Sequence, residues 1–182
     1  MKEESKGQDV PVVYTVGHST RTLEEFITLM MHYGIRTVAD VRTLPGSGRV
    51  PQFNEENLRV TLPEVAIGYR HFRDLGGLRH TTRDSPNTGW RNKSFRGYAD
   101  YMQTEAFLRG LGELTALAQE RTTAIMCAEA VPWRCHRSLI ADALLVRGFQ
   151  VMDIFSVKSL KPHKLTAFAR VEGLVVTYPP AP

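Results

Sequence analysis

Short apolar runs alternate along most of the chain with stretches in which apolar residues recur every three or four positions. VVYTVG, at 12–17, predicts a buried strand stopped by Gly17. Beyond it, Thr22-Leu23-Glu24-Glu25 has the form of a capping box. Leu23, Phe26, Ile27, Met30 and Met31 then fall at helical spacing until Gly34 supplies a stop. IRTVADV, at 35–41, reads as the next strand. Together these segments make a β-α-β unit, the building block of parallel sheets with right-handed crossovers.

The pattern continues with interruptions. LPGSGRVPQF, at 44–53, is loop by its Pro and Gly content, and Asn54 is placed to cap a short helix through Leu62. A third strand at 68–72 is weakened by Arg70 and His71. Residues 75–94 show no periodicity and are turn-rich, as functional or mobile loops are. Helices are expected at 95–102 and 104–120, the second with Phe107, Leu111, Leu114 and Leu117 on one stripe. A strand at 122–127, a helix from about Cys135 to Arg147 closed by Gly148, and a strand at 151–155 complete the series. The expected fold is therefore α/β, a single three-layer domain with a mainly parallel sheet flanked by helices. The expected boundaries are a loose N-terminal tail over 1–11, the domain over 12–156, and an extension over 157–182 that packs on the domain or trails from it. In such sheets ligands gather beyond the carboxyl ends of the strands, where His18-Ser19, Asp40-Val41-Arg42 and Cys127-Ala128-Glu129 are expected to emerge.

Composition narrows the class without naming a function. With 182 residues, 42% hydrophobic and 23% charged, the chain suits one globular domain. No apolar run approaches the roughly 20 residues of a membrane span. The start, MKEESKGQDVP, lacks the apolar stretch of a secretory signal, so a cytoplasmic location is expected. There, two cysteines are expected to be reduced rather than to form a staple. The formal charge of +4 says little, but its distribution says more. Between Tyr69 and Arg96, seven basic side chains face only Asp74 and Asp84, and they interleave with Tyr69, Phe72, Trp90 and Phe95. That mixture suits a nucleic acid or nucleotide partner, and equally a solvated basic loop over buried aromatics.

The densest chemistry lies in IMCAEAVPWRCHRSL, at 125–139. Cys135, between Arg134 and His136 with Arg137 beyond, stands at an expected helix start. Cationic neighbours and free N–H groups there favour a thiolate. Cys127 ends an apolar strand and reads equally as a core residue, so Cys135 is expected to be the more reactive thiol and Cys127 the more buried. Glu129 is a general base, a metal ligand or a partner for Arg134 or Arg137. Cys-x-Glu-x5-Cys-His lacks the paired short spacings of zinc modules, so no metal is assigned, and the sequence names no cofactor. Cys127 to Arg134 is one residue longer than a Cys-x5-Arg phosphate cradle, and Pro132 removes an N–H such a loop needs. Anion binding at the helix start, with Arg137, stays open. His18 is a candidate for proton transfer or substrate contact, and Ser19 for substrate contact or for bridging to the next helix. Asp40 and Arg42 share a strand face, for a mutual ion pair or for a ligand.

Taken together, YTVGHST, VADVRTLPGSGRVPQFN, LGGLR, FRGYADYMQTEAF and MCAEAVPWRCHRSLIADAL resemble the domain of unknown function 488 family over about 12–155. The resemblance implies an α/β fold. It points to His18, Ser19, Asp40, Arg42, Cys127, Glu129, Cys135, His136 and Arg137, and it brings no established reaction. This chain departs from the family pattern at Asp153, where a histidine is expected before the isoleucine of the last strand, and at Leu78, where arginine is expected after the double glycine. The leading expectation is an enzyme, or a domain derived from one, acting on a phosphate-bearing or nucleic-acid substrate. Cys135, Glu129, His18 and Cys127 would be catalytic, and Ser19, Asp40, Arg42, Arg70, Arg134, His136 and Arg137 would bind substrate. The alternatives are a non-catalytic nucleic-acid or nucleotide-binding module and a metal-binding or thiol redox protein.

Overall fold

A computed structural model describes residues 9–182, so most of the expected N-terminal tail lies outside the described residues. The chain forms β1 (Val12–Gly17), α1 (Leu23–His32), β2 (Thr37–Asp40), α2 (Glu55–Glu64), β3 (Gly68–His71), α3 (Lys93–Tyr101), α4 (Glu105–Glu120), β4 (Thr123–Cys127), α5 (Arg137–Leu145) and β5 (Gln150–Ser156). Three short strands follow: β6 (Ser159–Pro162), β7 (Arg170–Glu172) and β8 (Val175–Thr177). The main sheet has the order β3-β2-β4-β1-β5-β6. Its first five strands are parallel, and β6 returns antiparallel along β5.

Direction of travel along this sheet sorts the helices. The chain moves one way from β1 to β2 to β3 and the other way into β4 and β5. Right-handed crossovers therefore put α1 and α2 on one face and α3, α4 and α5 on the other. Two separate cores show the result. Phe26, Met30, Leu58 and Leu62 pack on Val16, Val38, Ala124 and Met126. Tyr98, Phe107, Leu111, Leu139 and Ile140 pack on Val13, Ala39, Ile125 and Cys127. Along β4 the alternation of Ala124 and Met126 with Ile125 and Cys127 is thus an alternation between two buried faces, which is why the strand reads as a continuous apolar run. α/β with a mainly parallel sheet is the fold, as the periodicity implies.

Local chemistry explains most boundaries. The capping box at Thr22 is complete: the Glu25 amide donates to Thr22 Oγ1 at 3.1 Å and the Thr22 amide to Glu25 Oε2 at 2.7 Å. Asn54 precedes α2 but its side chain does not cap it, because Asn54 Oδ1 accepts from the Ser47 amide at 2.6 Å and fastens the loop before it. α5 starts two residues later than expected. Pro132–Arg134 forms a 3-10 turn that leaves Cys135 extended, at φ −136° and ψ 142°, with His136 as the cap residue. The strand at β3 tolerates Arg70 because it is an edge strand; Arg70 lies over the Phe72 ring and pairs with Glu113 of α4.

The turn-rich stretch is fastened from below. Asp100 on α3 accepts from Thr81 Oγ1, the Thr82 amide, Ser85 Oγ and Asn87 Nδ2 at 2.5 to 2.9 Å. Asn87 Oδ1 in turn accepts from the Tyr178 amide at 2.9 Å. After β6, which extends the sheet edge, the chain packs on the α3–α5 face, where Val176 and Tyr178 are buried in the core. Among the described residues no helix is long and apolar enough to cross a membrane.

Candidate functional site

β1 and β4 are neighbours whose following segments leave for opposite faces of the sheet, and a crevice opens at such a point. Gly17 is in register with Cys127, and beyond them the His18 amide donates to the Cys127 carbonyl at 2.9 Å and the Ser19 amide to Ala128 at 3.0 Å. The approach is so close that a Cβ on Gly17 would lie 1.7 Å from the Glu129 carbonyl oxygen, so only glycine fits. His18, Asp40 and Cys127 therefore stand at one edge of the sheet, as the strand pattern implies.

Behind the crevice is a buried polar wall. The Arg42 guanidinium donates to Asp40 through Nε at 2.8 Å and Nη2 at 2.6 Å, and the Tyr69 hydroxyl donates to Asp40 Oδ2 at 2.6 Å. Burial works against the Arg42 charge, but the bonds and charge of Asp40 outweigh it and raise the Arg42 pKa. His18 is stacked on Phe53 with ring centroids 4.4 Å apart. Its Nδ1 bonds to the Ser19 carbonyl at 2.8 Å and its Nε2 faces Arg42 Nη1 at 3.3 Å. A carbonyl only accepts and a guanidinium only donates, so Nδ1 carries the proton and Nε2 the lone pair. Burial lowers the His18 pKa, with Arg42 adding to it against the Ser19 bond, and the ring is neutral. Both nitrogens have partners and the residue is 2% exposed, so His18 stands in the wall behind the cleft. Ser19 sits at φ 49°, a left-handed turn that redirects the chain toward α1, while Thr22 does the capping.

The cleft itself lies over the ends of β2, β3 and β4. One part of about 250 Å³ is lined by Arg42, Leu44, Leu78, Cys127, Glu129 and His136 among others. An adjoining part of about 360 Å³ reaches Asn92, Ser94, Arg134 and Cys135. Cys127 and Cys135 are 2% and 4% exposed, so both are buried at its floor. Their sulfurs are in contact while the Cα atoms stand 7.5 Å apart, wider than a disulfide spans without backbone movement, so the pair is placed to meet.

The groups expected to serve an anion serve sulfur instead. Arg137 Nη1 donates to Cys127 Sγ at 2.7 Å and to the Glu129 carbonyl at 2.6 Å, and Nη2 donates to the Ala130 carbonyl at 3.3 Å. The first amide of α5, that of Arg137, donates to Cys135 Sγ at 3.5 Å. Arg137 is 1% exposed, forms no ion pair among the described residues, and has a buried Nε without a partner. Burial pushes its pKa down to about 10, although the charges of Asp153 and Glu129 oppose that, so it stays protonated at neutral pH. His136 donates from Nε2 to the Val41 carbonyl at 2.7 Å, leaving the Nδ1 lone pair 3.6 Å from Cys135 Sγ. Burial, aided by Arg137 and Arg79, pushes its pKa down to about 4, so that lone pair is free at neutral pH.

The structure therefore brings Cys127, Cys135, His136, Glu129, Arg134 and Arg42 together at one cleft, with Arg137 buried behind Cys127. The Glu129 carboxylate forms no ion pair with Arg134 or Arg137 among the described residues; only its backbone carbonyl meets Arg137. Arg70 stands apart on the sheet edge with Glu113. The basic segment is likewise dispersed: Arg79 covers the Tyr101 ring and Arg96 donates to the Trp90 carbonyl. Among the described residues no three His, Cys, Asp or Glu side chains gather as a metal set.

A family model described as "Domain of unknown function DUF488" matches residues 22–144, more than half of the chain. The chain belongs to this family. No curated protein and no solved structure matches it. Within the family match lie β2, the α5 start and both cysteines, whereas His18 precedes it and the C-terminal segment follows it. That segment holds what the sequence reading missed. His163 donates to Asp142 at 3.0 Å and to Asp153 at 3.1 Å, and the Tyr178 hydroxyl donates to Asp142 at 2.8 Å. An imidazole thus stands beside Asp153, the position where the family resemblance implies a histidine. The one available signal was Asp142 itself, an acid inside the apolar run LIADALL of a buried helix.

Proposed function

We propose that this family member is a thiol oxidoreductase, with Cys127 as the attacking thiolate and Cys135 as its resolving partner. The observation that carries this reading is Arg137, a buried guanidinium that touches no carboxylate, feels Asp153 and Glu129 only from further off, and has a sulfur 2.7 Å away. A buried cation without a counterion is costly, and in the reduced state an ionised Cys127 supplies the missing charge. The phosphate-bearing substrate suggested by the sequence is less well supported, because Arg137 and the first amide of α5 are engaged by the two sulfurs. Arg134, exposed at the cleft mouth beside Asn92 and Ser94, remains open to an anionic part of a substrate.

Sulfurs this buried favour a slim oxidant, and a hydroperoxide fits. The Cys127 thiolate attacks the terminal oxygen, the O–O bond breaks, and the alkoxide leaves and takes a proton from water, giving an alcohol and a Cys127 sulfenic acid. Cys135 then attacks the Cys127 sulfur and gives up its proton. The S–O bond breaks, and the departing hydroxide takes that proton to become water. One hydroperoxide and two thiols yield one alcohol, one water and one disulfide. Two molecules of a low-molecular-weight thiol restore the pair and leave as their own disulfide.

The test exposes fully reduced protein to a hydroperoxide and follows intact mass and dimedone labelling. Native protein is expected to lose two hydrogens. Cys135→Ser should stop with a dimedone-reactive sulfenic acid on Cys127, and Cys127→Ser should react no faster than a free thiol. Dimedone capture at Cys135, or native protein no faster than glutathione, would overturn the reading.

A further inference from the structure

A second cavity, of about 610 Å³, lies on the far side of the loop that joins the cysteines. Its walls include Trp90, Trp133, Phe155, Lys161, His163 and Lys164. Trp133 is 65% exposed and borders Phe155, with ring centroids 6.0 Å apart and planes tilted by 36°. An exposed indole beside a second ring offers a surface on which a flat ligand can stack. Trp90 packs deeper, stacked on Phe95 at 4.8 Å, and its buried indole N–H has no acceptor among the described residues. Lys161 extends over the Phe155 ring, its Nζ 5.6 Å from the centroid. The carboxylate lining the cavity, Asp153, is engaged by His163 and Thr15. Neither Lys161 nor Lys164 has an acidic partner among the described residues, and both are exposed.

We propose that this cavity binds a nucleotide, with the base stacked on Trp133 and the phosphate against Lys161 and Lys164. A ligand that is at once flat, aromatic and anionic satisfies all of these walls. A purely apolar ligand leaves the lysines unanswered, and a bare phosphate leaves the indole uncovered. The segment carrying these lysines is not the basic stretch singled out in the sequence, whose arginines the fold has dispersed. The site shares no side chain with the thiol chemistry, so each proposal stands or falls alone.

The chain has two tryptophans and both line this cavity, which makes intrinsic fluorescence a local reporter. Titration with adenosine monophosphate and with a short oligo-thymidylate at low salt is expected to give saturable quenching. The Lys161→Glu, Lys164→Glu double variant should weaken binding at least about tenfold, since two phosphate-facing charges are reversed. Trp133→Leu, with binding read by equilibrium dialysis, should weaken it comparably. Saturation by the mononucleotide identifies a free nucleotide site, and saturation by the oligomer alone identifies a nucleotide within a single strand. No saturable quenching by either probe, or an affinity untouched by the lysine reversals, would overturn the proposal.

Discussion

At residue scale, what separates the candidate site from its supporting wall is which polar groups still have something to do. Asp40, Arg42, Tyr69 and His18 are engaged by one another and by the Ser19 and Phe53 carbonyls, and the consequence is rigidity. Asp40→Asn leaves the Arg42 charge buried without its counterion, which costs about 3–5 kcal/mol. Urea unfolding of the variant is expected to show that loss, and a change within about 0.5 kcal/mol would mean that solvent reaches Arg42. Arg137 is the opposite case, its guanidinium touching only carbonyls and a sulfur while Asp153 and Glu129 act from further off. The sequence shows that Cys127, Cys135 and Arg137 are near each other in the chain. It does not show which sulfur the guanidinium reaches, because that depends on a 3-10 turn delaying α5 by two residues. The cationic neighbour expected to activate Cys135 lies instead on Cys127, and both cysteines are buried.

At the scale of elements, the strands and helices through β5 were legible because each carries a period that a sheet or helix must bury. The segment after β5 carries none, and it is held by particular bonds rather than by a stripe. His163 is the clearest of these. Burial alone would lower its pKa, but hydrogen bonds and charges from Asp142 and Asp153 outweigh that and push it up to about 9. The folded value lies above the unfolded value of about 6.5, so the stabilisation is fully present below that pH and is lost as pH rises through about 9. The contribution is on the order of 2–3 kcal/mol. Thermal unfolding at a pH near 6 and again near 9.5 is expected to show a drop in Tm that His163→Gln removes. An equal drop in the variant would mean that other groups are responsible. Asp100 works in the other direction. Burial opposes its ionisation, but the bonds from Ser85, Asn87, Thr82 and Thr81 prevail and hold its pKa below the ordinary value. Its grip on the 75–94 stretch is therefore present above the unfolded carboxylate pKa and is lost as pH falls through the depressed folded one. That stretch reads as loop from its composition, and only its bonds to α3 and Tyr178 show that it is fixed.

At the scale of the whole molecule, the strand order β3-β2-β4-β1-β5-β6 brings together groups that are far apart in the chain. Arg42 follows one strand, Gly77 and Leu78 follow another, and the two cysteines straddle the loop after a third, yet they form one cleft. The sequence identifies the edge on which they meet, because α/β sheets present their strand ends together. It does not show how the charges are distributed within the cleft, which follows from packing between α5 and the segment 128–136. The proposed thiol chemistry requires that reduced Cys127 be a thiolate held by Arg137. The most direct measurement is ultraviolet absorbance of the thiolate across a pH series, on reduced Cys135→Ser, reduced Cys127→Ser, and reduced Cys135→Ser carrying Arg137→Gln. Cys127 alone is expected to titrate well below the free-thiol value of about 8.5, Cys135 alone near or above it, and loss of Arg137 should return Cys127 to at least that value. A Cys127 midpoint at or above about 8.5 with Arg137 in place would contradict the account.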